Sequence, residues 1–205
     1  MPLELWLTFV AASTALLLIP GPTVLLVLTY ALTQGRRVAA ATAAGVAFGD
    51  LVAMTASLLG VGALVMASAT LFTILKWAGA LYLIWLGIGL LRTRPAEGFD
   101  LSGATDLPVR DIFGHAAAVT ALNPKSIAFF IAFVPQFLRP DAALAPQFAI
   151  LIATFVALAA ANALAYALLA DRMRARMTGA GTRAGLNRIG GTALIGMGVM
   201  TAALR

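Results

Sequence analysis

Apolar residues run along the chain in six long stretches separated by short polar ones: about Leu5–Thr33, Val38–Ser68, Leu71–Leu91, Ile112–Leu138, Ala145–Ala170 and Ile189–Leu204. Stretches of this kind match the roughly 20 residues a helix needs to cross a bilayer core about 30 Å thick. Several ends carry a marker: Gly35-Arg36-Arg37 closes the first, Arg92 closes the third, and Pro146 suits the opening turn of the fifth. The longest polar stretch, about Thr93 to Asp111, reads as a loop. The pattern predicts an all-α integral membrane protein with six transmembrane helices in a single transmembrane domain over residues 1–205. Two of the six stretches carry helix breakers in their interior. The first has Pro20-Gly21-Pro22, and the fourth has Asn123-Pro124-Lys125.

A faint internal repeat links these breaks. A shift of 102 residues lays Pro22 on Pro124, and a shift of 111 lays Gly79, Leu83, Ile84 and Gly87 on Gly190, Leu194, Ile195 and Gly198. Two halves follow, about 1–92 and 112–205, joined by a loop at about 93–111. With three spans in each half, the halves face opposite ways. This is the inverted-repeat plan of many secondary transporters, whose sites lie at discontinuous helices near the midplane.

Composition agrees with the membrane reading. The chain is 61% hydrophobic and 11% charged, against roughly a quarter charged in soluble domains. A net charge of +6 does not point to nucleic acid, because the basic residues cluster between the apolar stretches. Arg36, Arg37, Arg92, Arg94, Arg110, Arg172, Arg174, Arg176, Arg183 and Arg188 fall on one side of a six-span topology, and Arg139 and Arg205 on the other. The positive-inside rule then puts both termini outside the cytoplasm. Met1-Pro2-Leu3-Glu4 lacks the positive start of a cleavable signal, so the first stretch is expected to be retained. With no cysteine there is neither a disulfide nor a thiolate metal site.

The candidate chemistry lies inside the spans. Pro20 and Pro22 have no amide hydrogens, so the carbonyls of Leu16 and Leu18 lose their helical partners, while Gly21 admits close approach by a backbone or ligand. Unsatisfied backbone in lipid costs several kcal/mol, so something must take those carbonyls. Lys125 stands on the order of 20 Å from the cytoplasmic end, where it either snorkels to the far interface or faces an internal cavity beside the break. Asp50 is the one acid deep in a span, roughly 18 Å in. Three roles fit it: counter-ion to Lys125 or Lys76, acceptor for a substrate ammonium, or proton carrier. Gly45 and Gly49 give the same span a face for close helix packing. Lys76, Tyr82, Asn162 and Gln136 are secondary polar candidates, and His115 reads as interfacial. Zinc-ligand pairs, phosphate loops and nucleophile motifs are all absent, so neither an enzyme nor a cofactor is expected.

"IPGPTVLLVLTYALTQGRR", "AGVAFGD", "LKWAGALYLIWLGIGLLR" and "ALNPKSIAFFIAFVPQFL" together resemble the LysE/RhtB family of bacterial amino-acid exporters. The resemblance implies proton-driven efflux of amino acids across the bacterial inner membrane. It also implies signature positions at Pro20, Gly21, Pro22, Asp50, Asn123, Pro124 and Lys125. The expected partners are an amino-acid substrate, protons and membrane lipids, with no nucleic acid; assembly as a homo-oligomer is left open. One deep acid balances one ammonium, which favours neutral substrates such as threonine or homoserine. Two rival readings are a passive channel, whose flux ignores the proton gradient, and a non-transporting scaffold, in which Asp50 and Lys125 only hold helices together.

Overall fold

A computed structural model describes residues 1–67, 69–92, 107–139, 142–170 and 180–203, and every regular element among them is helical. The α-helices are α1 (Leu3–Leu18), α2 (Pro22–Gln34), α3 (Ala39–Ala67), α4 (Ala69–Arg92), α5 (Val109–Ala121), α6 (Pro124–Ala128), α7 (Leu144–Leu168) and α8 (Ala180–Ala203). Most of the expected loop at 93–111, with Arg94, and the loop basic residues Arg172, Arg174 and Arg176 lie outside the described residues, as do Arg205 and the side chains of Lys76 and Arg183.

Both proline breaks divide their helices. α1 stops at Leu18, Ile19 turns to extended backbone (φ −71°, ψ 117°), and α2 restarts with Pro22 in its opening turn. That position costs nothing, because an amide there has no helical partner in any case. α5 stops at Ala121, and Pro124 opens α6 in the same way. α6 runs on into a π-helical turn at Phe129–Phe133 and a 3₁₀ turn at Val134–Phe137, and this arm is bent by 42° from α5. At the other end of α2, Gly35 takes a left-handed φ of 73°, which ends the helix before the 3₁₀ turn Gly35–Val38 leads into α3.

By length and apolar composition, two stretches among the described residues can cross a bilayer, Pro22–Ala63 and Leu144–Leu168. The bent pair Val109–Ala121 with Pro124–Phe137 makes a third if it is taken as one span. α1 falls short because the break leaves it 16 residues, about 24 Å of helix. α8 is already helical at Ala180, well before Ile189 where the apolar pattern begins. Hydropathy marks where lipid-compatible side chains begin, whereas helical hydrogen bonding continues into the polar turns before them.

Packing interleaves the two ends of the chain. α3 packs chiefly on α5 and α7, α4 on α8, and α1 and α2 on α7. One core cluster draws on all eight helices, with Phe9, Val24, Met54, Leu83, Ala116, Ala128, Phe155 and Leu194 among its members. Phe129, Phe130, Phe133 and Phe137 extend it as ring contacts with Phe155 and Phe9 at centroid distances of 4.8–6.2 Å. Glycine sets the closest approaches. A Cβ at Gly45 or Gly49 would lie 2.5 Å from the carbonyl oxygen of Phe113 or Ala117 on α5, and one at Gly87 would lie 2.6 Å from that of Gly191 on α8. The small-residue face expected at Gly45 and Gly49 is therefore the α3–α5 contact.

Candidate functional site

The end of α1 leaves the last carbonyls of a helix without their usual i+4 amides, and side chains from far along the chain bond to them. Lys125 Nζ donates to the carbonyls of Leu16 (3.1 Å) and Ile19 (2.9 Å). Asn162 Nδ2 donates to Leu17 O at 3.2 Å, and the Tyr166 hydroxyl donates to Leu18 O at 3.3 Å. Leu16 O also accepts from the amide of Ile19 at 3.2 Å. A cation suits this position because the helix macrodipole is negative at its C-terminus. Leu16 and Leu18 have thus lost their helical donors as the prolines require, and Lys125 and Tyr166 have replaced them.

Gly21 lies against this lysine. Its φ of −138° is ordinary extended backbone, so the lack of a side chain matters for space and not for conformation. A Cβ there would lie 3.4 Å from Lys125 Nζ. The close approach expected at Gly21 is therefore made by the lysine.

The second break is tied to the first. Asn123 caps α6 by accepting from the Lys125 amide at its Oδ1 (3.1 Å), and its Nδ2 donates to Thr23 Oγ1 in the first turn of α2 (3.1 Å). The Thr120 hydroxyl reaches the same Thr23 oxygen at 3.4 Å.

Asp50 of α3 is 2% exposed, and its Oδ1 has no hydrogen-bond partner among the described residues. It shares a cavity of about 30 Å³ with Gly21, Thr23, Asn123, Lys125, Asn162 and Tyr166. That volume has room for water but not for a whole amino acid. Across Gly21, Asn123 and Lys125 lies a wider chamber of about 320 Å³, lined also by Ile19, Pro20, Pro22, Trp85, Leu86, Gly89, Pro124 and Leu194.

Of the seven positions expected from the resemblance, Gly21, Asn123 and Lys125 line both spaces, Pro20, Pro22 and Pro124 line the wider one, and Asp50 lines the smaller one. Asn162 joins them. Tyr82 stacks on Trp85 at 5.6 Å and lines neither space. His115 sits apart, its Nδ1 2.6 Å from the Tyr30 hydroxyl. The sequence reading missed Thr23, Thr120 and Tyr166. Tyr166 was within reach of inference, because it follows Asn162 by four residues and shares its helix face.

The chain is similar to proteins of known and unknown function. The family model for the LysE type translocator matches residues 14–204. The homoserine/homoserine lactone efflux protein of Salmonella typhi is 35% identical over 206 residues, covering all of this chain and 99% of the relative. An uncharacterized membrane protein of Vibrio cholerae is 30% identical over 202 residues and 98% of each chain. The leucine efflux protein of Klebsiella pneumoniae is 31% identical over 137 residues, 67% of this chain and 65% of its own. No solved structure matches.

Proposed function

The chain belongs to the LysE type translocator family, and from that premise we propose that it exports neutral amino acids across the bacterial inner membrane in exchange for protons. The reading takes the chain as six spans in two inverted three-helix repeats with both termini outside the cytoplasm. Its relatives named as efflux proteins support export. The observation that carries the site is the cavity lined by both Asp50, with an unpartnered oxygen, and Lys125, beside two broken helices.

A zwitterion complements those groups. Its carboxylate meets Lys125, which has three N–H donors and uses two of them on Leu16 and Ile19. Its ammonium meets the open oxygen of Asp50. A proton arriving at Asp50 from outside removes the attraction for the ammonium and releases the substrate outward, so export is coupled to proton entry. Rocking of the halves then reopens the site inward. The smaller cavity has room for water but not for a whole amino acid, so a bound substrate extends into the adjoining chamber.

Purified protein in proteoliposomes tests the scheme. One proton per substrate across one pH unit supplies about 1.4 kcal/mol, roughly tenfold accumulation. Asp50→Asn should abolish that accumulation. If the variant accumulates substrate as well as the native protein across a range of external pH, Asp50 is not the coupling group. A passive channel predicts flux that ignores the pH gradient in both proteins.

A further inference from the structure

Resting on the exporter reading, we infer that the 320 Å³ chamber is the side-chain subsite, and that the preferred substrates are amino acids with apolar side chains of leucine or methionine size. Charge balance alone leaves every neutral amino acid equivalent, including threonine and homoserine. The lining separates them.

Apart from Lys125 and Asn123 at the wall shared with the polar cavity, the side chains around the chamber are those of Ile19, Pro20, Pro22, Trp85, Leu86 and Leu194, with Pro124 and two glycines. A carboxylate held at Lys125 directs the rest of the molecule into this apolar space. The chamber has the volume of a small-ligand pocket, whereas the polar cavity does not. A charged side chain entering it loses its hydration with nothing to replace it, and a hydroxyl loses its water partners in the same way.

Gly89 is a place where the chamber has room beside the backbone. It lines the space, and a Cβ built on it meets no atom within 4 Å. Gly87, two residues earlier on α4, is instead pressed against α8. A Cβ at Gly89 therefore enters free space beside the chamber, whereas one at Gly87 meets α8. Gly89 and Trp85 are the specificity-determining positions.

The test is counterflow in proteoliposomes with radiolabelled alanine, threonine, homoserine, leucine, methionine and lysine. Discrimination by an apolar pocket runs about 10–200-fold per methylene at its best. Leucine and methionine should exchange at least about tenfold faster than alanine, threonine or lysine. Gly89→Leu should lower the leucine-to-alanine ratio at least about tenfold within the same variant, a readout in which a general folding defect cancels. Equal or faster exchange of threonine and homoserine by the native protein overturns the inference and leaves the exporter reading standing. An unchanged ratio in Gly89→Leu does the same and leaves the chamber to lipid. Exchange of no amino acid at all refutes both.

Discussion

Replacing Lys125 with methionine isolates the bond between the two breaks. The side chain keeps an unbranched stem one atom shorter and loses the ammonium that caps α1. Two carbonyls lose a donor, but they are not equivalent. Leu16 O retains the amide of Ile19 at 3.2 Å, whereas the Ile19 oxygen keeps no donor among the hydrogen bonds described. One orphaned carbonyl in an apolar interior costs about 1–3 kcal/mol. Removing a desolvated ammonium offsets part of that cost globally, so overall stability is a poor readout. The local opening of residues 16–23 is the better one. Hydrogen–deuterium exchange in nanodiscs without substrate should show the amides of Ile19 and Gly21 opening about 5–150-fold more often, the equivalent of about 1–3 kcal/mol. Pro20 and Pro22 have no amide to read. If exchange at Ile19 and Gly21 matches that of the native protein, Lys125 does not hold the end of α1 and the capping argument is wrong.

Other perturbations follow from the same contacts. Tyr166→Phe keeps the ring and loses the bond to Leu18 O, so it should open the same segment by only about 0.5–1.5 kcal/mol in the same exchange experiment. Gly49→Ala places a Cβ 2.5 Å from Ala117 O and 2.8 Å from Thr120 Cβ, and should destabilise the detergent-solubilised protein by about 1–3 kcal/mol. Gly114→Ala meets nothing within 4 Å and should leave thermal unfolding unchanged or slightly improved; equal effects of the two changes would contradict the tight α3–α5 contact. Asn123→Ala removes both the α6 cap and the link to Thr23, and should cost about 1–2 kcal/mol in thermal unfolding, with Thr23→Val costing less because the cap survives.

Much of the site can be read from the order of residues because its chemistry is local. A proline has no amide wherever it stands, so Pro20, Pro22 and Pro124 mark breaks that the helix boundaries reproduce. Asp50 and Lys125 stand out because charge inside an apolar stretch demands a reason. The ends of α3, α4 and α7 also follow the apolar pattern to within a few residues, since lipid-facing helices require it. The start of α8 does not, because a helix need not stop where its side chains turn polar.

The partners of these groups are another matter. Lys125, Asn162 and Tyr166 reach the end of α1 across 109, 145 and 148 residues of chain, and nothing in the sequence encodes those pairs. Sequence alone determined that the first helix must break and leave carbonyls in need of donors. Only the tertiary structure decided that a lysine, an asparagine and a tyrosine supply them, with an unpartnered Asp50 oxygen in the same cavity. The reason is physical: a missing hydrogen bond is a property of one residue, while its replacement depends on which distant helix packs close enough to reach it.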